Sequence, residues 1–151
     1  MKLLDAIKRS LGSSSTPASP PPPASTPPPA SPPAREPAAI IIPEIVPADL
    51  MAEQRNGKQP ILLDCREEYE WRQVRIPGSL HIPMRQIPSR LAEIDRAACI
   101  VVVCAHGNRS YSVAGYLIEN GFAARSLRGG VAEWQARGGD VESDTMRATR
   151  S

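Results

Sequence analysis

The chain has 151 residues, of which 41% are hydrophobic and 4% aromatic, and its formal charge is +2. This length supports one domain of roughly 100 residues with a single core. Acidic and basic residues are equal in number from residue 40 onward, which argues against a dedicated nucleic-acid-binding protein, because such proteins show a clustered basic excess. No apolar run approaches ~20 residues, so we expect no transmembrane helix.

Residues 1–11 carry a short amphipathic pattern, with apolar side chains at helical spacing and charges on the opposite face. A helix this short is marginal alone in water. It could dock on a partner protein, on another copy of the chain or on a membrane surface. The alternative interpretation is a frayed terminus without a function.

Residues 12–38 consist almost entirely of Ser, Thr, Ala and Pro and contain no aromatic residue. Such proline runs favour extended polyproline II with the backbone in water. Too little apolar surface is present to offset the entropy of ordering. We therefore predict a disordered, semi-rigid tether before the domain.

From residue 39 onward, apolar runs alternate with segments of helical spacing. The pattern predicts strands at residues 39–42, 61–63, 79–82, 99–103 and 124–127. It predicts helices at residues 47–54, 67–73, 87–94, 110–120 and 130–136. This order indicates an α/β domain at 39–142, with a mostly parallel sheet covered by helices on both faces. Residues 143–151 are expected to form a flexible tail.

The most informative stretch is Cys104–Ser110, with the sequence Cys-Ala-His-Gly-Asn-Arg-Ser, between an apolar strand and a helix. Ligands of parallel sheets bind at the carboxyl ends of strands, where Cys104 falls. Successive backbone N–H groups and a helix N-terminus form a cradle for an anion. The natural anion is the Cys104 sulfur itself, as thiolate or persulfide, which makes Cys104 the candidate nucleophile.

Four other residues complete the predicted cradle. Gly107 permits a backbone geometry that a side chain would obstruct. Asn108 is expected to contribute mainly its backbone, as does Ala105, and Ser110 supports the loop from the start of the helix.

Two side chains of the loop have open roles. Arg109 could support the loop by binding carbonyls or a carboxylate, or it could attract anionic substrates. His106 could donate a hydrogen bond or carry a proton, and shaping the entrance is an equally good interpretation.

Of the other cysteines, Cys65 is expected to be a small core residue, with a resolving thiol as the alternative interpretation, and Cys99 is expected to pack in the core. Three cysteines are too few and too unevenly spaced for a disulfide framework or a C-x-x-C metal site. With only two histidines besides, we predict no metal. The cysteine usage fits a reducing compartment, so we expect a cytoplasmic protein, with peripheral membrane attachment through residues 1–11 as an option.

Four sequence blocks resemble the single-domain rhodaneses in order and spacing. They are the C-x-x-G-x-R-S loop, and residues 64–70, 75–83 and 127–134. The resemblance covers residues 39–142 and implies the rhodanese-like fold. The six residues from Cys104 to Arg109 look like the sulfurtransferase form of the loop, because related enzymes that act on phosphate esters usually have one more residue.

The resemblance also implies roles for residues beside the loop. Asp64 would help to position the Cys104 loop, and Arg66 and Glu70 would form a structural ion pair or network. The chain departs from the family at Arg75, where a histidine usually precedes Ile-Pro-Gly.

The resemblance implies a function in sulfur transfer. Cys104 would take a sulfane sulfur from a small anionic donor such as thiosulfate and pass it to cyanide or a thiol, without an organic cofactor. The alternatives are a persulfide-carrying delivery module recruited through residues 1–11 and, less favoured, a cysteine-dependent phosphatase.

Overall fold

The computed structural model of the protein describes Pro17, Ser19 and residues 40–149. The predicted N-terminal helix at 1–11 and nearly all of the predicted tether lie outside the described residues. Among the helices that are described, none has the length and apolar character needed to cross a membrane.

A five-stranded sheet forms the centre of the domain, and every strand pair in it is parallel. The strands are β1 (Glu44–Ile45), β2 (Ile61–Asp64), β3 (Leu80–His81), β4 (Cys99–Val103) and β5 (Ala123–Leu127). Their order across the sheet is β1-β5-β4-β2-β3. The predicted α/β class with a parallel sheet is therefore confirmed, and β4, which leads to Cys104, lies at the centre.

Helices follow each of the strands along the chain. They are α1 (Pro47–Arg55), α2 (Glu68–Gln73), α3 (Ile87–Arg90), α4 (Asn108–Glu119), α5 (Gly130–Ala136) and α6 (Asp144–Ala148). The segment predicted as one helix at 87–94 is divided, because Arg90 leaves helical geometry with φ −120° and ψ 16°, and a 3-10 turn follows at Leu91–Glu93.

The hydrophobic core has two layers, one on each face of the sheet. Side chains of β4 alternate between them, as the two-residue period of a strand requires. Ile100 and Val102 pack with Leu117 of α4 on one face, whereas Val101 packs with Trp134 of α5 on the other. Burial on both faces explains why β4 is a continuous apolar run.

The first strand lies later in the chain than the sequence predicts. Strand β1 is Glu44–Ile45, and residues 40–43 are not in a strand. Ile41 is 89% exposed, whereas Ile42 packs against the core. Pro43 contributes to the sheet only through its carbonyl, which accepts a hydrogen bond from the Ser126 N–H; a proline has no N–H with which to continue the ladder.

A short helix, α6, lies in the segment expected to be a flexible tail. Ser143 caps it by accepting a hydrogen bond from the Met146 N–H. The buried guanidinium of Arg75 bonds to Glu142 at 2.9 Å and to Asp144 at 2.8 Å. The departure from the family at Arg75 thus supplies the cation that holds this segment against α2.

Candidate active site

Cys104 immediately follows β4, and its side chain is almost fully buried. The loop after it is attached to the start of α5, where the Val131 N–H donates to the Cys104 carbonyl at 2.8 Å and the Ala132 N–H donates to the Ala105 carbonyl at 3.1 Å. These bonds fix the carbonyls of the loop on α5. The following N–H groups are then free to face the sulfur.

The sulfur of Cys104 is surrounded by hydrogen-bond donors. The Gly107 N–H donates to Sγ at 2.9 Å, and the Ser110 hydroxyl lies 3.4 Å from Sγ. Burial raises the pKa of the Cys104 thiol, but hydrogen bonds from the Ser110 hydroxyl and from the N–H groups of Ser110, Gly107 and His106 outweigh it, so the pKa is lowered overall. This environment favours the thiolate, which is the nucleophilic form.

Two glycines are required by the geometry of the loop. Gly107 has φ +102°, a left-handed conformation that side chains disfavour, and a Cβ there would lie 3.1 Å from the Gly129 nitrogen. Gly130 also has positive φ, and a Cβ there would overlap the Cys104 carbonyl oxygen. The close approach of α5 to the loop therefore depends on both residues.

Ser126, on β5, belongs to the site although sequence reasoning missed it. Its hydroxyl lies 2.8 Å from that of Ser110, and both side chains are fully buried. While Cys104 is a thiol, its S–H donates to the Ser110 oxygen and the Ser110 hydroxyl donates its single proton to the Gly107 carbonyl at 3.0 Å. In that state Ser126 is the donor of the 2.8 Å bond. The signal available in the sequence was a small polar residue between Ala124 and Leu127, where the strand alternation predicts burial.

Arg109 is bound by Glu70. Two hydrogen bonds, of 2.8 and 2.6 Å, join the guanidinium to the carboxylate. The bonds from Arg109 lower the pKa of Glu70 in spite of its partial burial, and they raise the pKa of Arg109. Of the two roles left open for Arg109, the structure shows the carboxylate contact that supports the loop.

Asp64 and Arg66 form a pair of their own at the end of β2. The Asp64 carboxylate accepts bonds from the Arg66 guanidinium at 2.7 and 3.0 Å and from the Arg66 N–H at 3.0 Å. Of the ion pair or network expected for Arg66 and Glu70, the ion pair is not formed: Arg66 donates only to the Glu70 carbonyl, at 3.4 Å, while its ion pair is with Asp64. The carboxylate of Asp64 positions Arg66, and among the described residues it makes no hydrogen bond to the Cys104 loop.

The remaining cysteines differ from each other. Cys65 is buried, and burial together with the nearby Cys104 and Asp64 raises its pKa to about 12, so it stays a thiol near neutral pH. Cys99 is exposed at the start of β4, and the expectation that it packs in the core is wrong. The strand enters the core only after its first residue.

A cleft of about 830 Å³ adjoins the Cys104 loop. Residues that follow β1, β4 and β5 line it, so it lies at the carboxyl ends of three neighbouring strands. His106 and Asn108 reach it from the loop with exposed side chains. Within residues 40–149, no group of three or more His, Cys, Asp or Glu side chains is arranged to hold a metal ion.

Known proteins are similar to this chain in sequence and in fold. The family model of the rhodanese-like domain matches residues 46–137. A sulfurtransferase of Allochromatium vinosum is 33% identical over 99 residues, which cover 65% of this chain and 92% of that protein. The thiosulfate sulfurtransferase GlpE of Pseudomonas aeruginosa is 37% identical over 93 residues, which cover 61% and 83%.

Solved structures agree with the sequence comparison. The crystal structure of a rhodanese-like domain protein from Staphylococcus aureus superimposes with a TM-score of 0.63 at 30% identity, covering 68% of this chain and 99% of that one. The matched region contains the Cys104 loop, the α5 segment that binds it and the Asp64–Arg66 pair. The chain therefore belongs to the rhodanese-like domain family, as the four sequence blocks predicted.

Proposed function

We propose that the protein is a sulfurtransferase that moves a sulfane sulfur from an anionic donor such as thiosulfate to a thiol or cyanide, through a persulfide on Cys104. The observation that carries the proposal is the buried Cys104 sulfur at the end of β4, 2.9 Å from the Gly107 nitrogen and with a lowered pKa. The relatives named as sulfurtransferases support the same reaction class.

The first step loads the enzyme. The Cys104 thiolate attacks the outer sulfur of thiosulfate, a Cys104 Sγ–S bond forms, and the S–S bond of the donor breaks. Sulfite leaves with the bonding electron pair, so the charges balance without a proton transfer. The N–H groups around the loop then hold the anionic persulfide, as an oxyanion hole holds its oxyanion.

The second step transfers the sulfur from Cys104 to the acceptor. A thiolate or cyanide attacks the outer sulfur of the persulfide, the Sγ–S bond breaks, and the Cys104 thiolate is restored. Since the donor product leaves before the acceptor reacts, the kinetics are ping-pong. Arg109, bound to Glu70, acts here by holding the start of α4 in place.

Mass spectrometry of the intact protein tests the loading step. Treatment with thiosulfate should add one sulfur atom to Cys104, and cyanide should remove it as thiocyanate. Cys65→Ser and Cys99→Ser are the matched controls, and both should still be loaded. Loading that survives Cys104→Ser, or consumption of thiosulfate without an adduct, would contradict the mechanism.

A further inference from the structure

The cleft beside the loop shares a wall with the sulfur site. Gly107 donates its N–H to the Cys104 sulfur and also lines the cleft, as does its neighbour His106. A volume of about 830 Å³ lies in the range of pockets that hold organic molecules rather than triatomic or tetrahedral ions. A molecule in the cleft therefore lies against the loop that would carry the transferable sulfur.

Among the described residues, four acidic or basic side chains line this cleft, and two of them form an ion pair with each other. Arg137 donates to Glu133 at 2.8 Å. The other two, Arg128 and Glu44, are exposed, and neither forms an ion pair within residues 40–149. Among the residues that the structure describes, the cleft thus offers the cation of Arg128 and the anion of Glu44 to a ligand.

The two free charges stand on neighbouring strands: Glu44 is the first residue of β1, and Arg128 follows the last residue of β5. β1 and β5 are paired in parallel, with Ile45 opposite Leu127. The Arg128 N–H continues this ladder by donating to the Ile45 carbonyl at 2.9 Å. Glu44 precedes Ile45 and Arg128 follows Leu127, so the sheet fixes the backbone from which each charge extends.

The arginines on the other side of the loop are already occupied. Arg109 is bound at two points by Glu70, and Arg66 by Asp64. Within residues 40–149, Arg128 is therefore the arginine of the cleft that has no carboxylate partner and could bind the carboxylate of a substrate. A substrate with an ammonium group finds the complementary anion at Glu44.

We propose that the cleft binds a zwitterionic, amino-acid-type thiol as the sulfur acceptor, with its carboxylate at Arg128 and its ammonium group at Glu44. The proposal rests on the proposed function and names the acceptor class. The thiolate of the bound acceptor attacks the outer sulfur of the Cys104 persulfide, the Sγ–S bond breaks, and the products are an amino-acid persulfide and the Cys104 thiolate.

Four thiols distinguish the contribution of the carboxylate from that of the ammonium group. Cysteine carries both groups, cysteamine carries only the ammonium group, 3-mercaptopropionate carries only the carboxylate, and 2-mercaptoethanol carries neither. Each is assayed as acceptor with saturating thiosulfate on the full chain. Arg128→Gln should lower kcat/KM for cysteine and 3-mercaptopropionate, and Glu44→Gln for cysteine and cysteamine, by roughly 3–10-fold each. Because each variant is compared with wild type for the same thiol, differences in thiol pKa cancel.

Arg85→Gln and Glu119→Gln are the matched charge controls, since both residues are exposed and lie outside the cleft. Neither control variant should change kcat/KM for any of the four thiols. Equal losses for all four thiols, or no loss with either cleft variant, would overturn the proposal.

A binding measurement separates this inference from the proposed function. S-methylcysteine is zwitterionic and cannot accept sulfur, and its titration is followed by the NMR shifts of backbone amides. Wild type should show saturable shifts at Glu44 and Arg128, weakened in Arg128→Gln and in Glu44→Gln. If Cys104 takes no sulfur while these shifts are present, the proposed reaction is wrong and the zwitterion site stands. If sulfur is loaded but no saturable shifts occur, the zwitterion site is wrong.

Discussion

The carboxylate of Glu70 binds both terminal nitrogens of Arg109, 39 residues later in the sequence, at 2.6 and 2.8 Å. Glu70 lies on α2, which follows β2, and Arg109 lies in the first turn of α4, which follows β4. The pair thereby joins the ends of two neighbouring strands. The same ion pair connects α2 directly to the segment that contains the Cys104 loop.

Arg109→Ala should loosen the loop and lower stability by about 1 kcal/mol, because Arg109 is about one-third exposed and solvent screens the pair. Lysine at this position should restore only part of the loss, since it cannot make both hydrogen bonds. Urea unfolding of the two variants, combined with Glu70→Ala in a double-mutant cycle, measures the coupling. Full recovery with lysine would show that charge alone matters.

The same pair predicts a pH dependence of stability. The folded-state pKa of Glu70 is lowered, so its contribution is fully present above the unfolded value of about 4.3 and is lost as the pH falls through the lower folded value. The melting temperature of wild type should therefore fall more steeply than that of Glu70→Gln as acid is added below about pH 5. Parallel curves would show that Glu70 does not contribute to the acid sensitivity.

The buried hydroxyl pair predicts an effect on the reactivity of Cys104. When Cys104 ionises, the Ser110 proton can turn from the Gly107 carbonyl to the thiolate, while Ser126 continues to donate to the Ser110 oxygen. Ser126→Ala should thus raise the pKa of Cys104 and slow its alkylation near neutral pH by roughly 2–10-fold.

The pH profile of iodoacetamide labelling measures this effect. Ser110→Ala should shift the profile further in the same direction, because it removes the hydroxyl that contacts the sulfur. Ser112→Ala, an exposed position on the same helix, should leave it unchanged. An unaltered profile in Ser126→Ala would restrict Ser126 to a packing role.

Local sequence signals predicted the centre of the domain well. β4 and α5 have the predicted bounds, 99–103 and 130–136, because a continuous apolar run and a glycine pair mark them clearly. Cys104 and its glycine were evident for the same reason: the chemistry of the loop is encoded in consecutive residues.

Contacts between distant residues account for what sequence reasoning missed. Arg66 forms its ion pair with Asp64, two residues away, and Glu70 forms its ion pair with Arg109. A single sequence does not show which of these carboxylates pairs with which arginine. Helix α6 similarly depends on Arg75, which bonds to residues 67 and 69 positions later. A five-residue helix has little stability of its own, so its own residues gave no clear signal.

Arg75 should contribute strongly to stability through that long-range contact. Its guanidinium is buried, lies 4.0 Å from the centre of the Trp71 ring and binds both Glu142 and Asp144. Arg75→Ala should cost about 2–4 kcal/mol, since it removes a packed side chain as well as two ion pairs.

Asp144→Asn is the comparison for Arg75→Ala and should cost no more than about 1 kcal/mol, because this carboxylate is half exposed. Denaturant unfolding of the two variants measures the difference. Equal small costs would show that the contact with Glu142 and Asp144 is not what Arg75 contributes.

Two adjacent isoleucines mark where the hydrophobic core begins. Ile41 is 89% exposed, whereas Ile42 packs against the core cluster and approaches α4 so closely that a Cβ on Gly115 would lie 2.8 Å from its Cδ1 atom. Ile42→Ala should lower the free energy of unfolding by about 1–3 kcal/mol, because it removes partly buried methylenes. Ile41→Ala makes the same isoleucine-to-alanine change at an exposed position, so its free energy of unfolding should stay within about 0.5 kcal/mol of wild type. Urea titrations of both variants decide the matter: equal effects would mean that the core does not begin at Ile42, and a large loss in Ile41→Ala would show that residues before 42 pack on the domain.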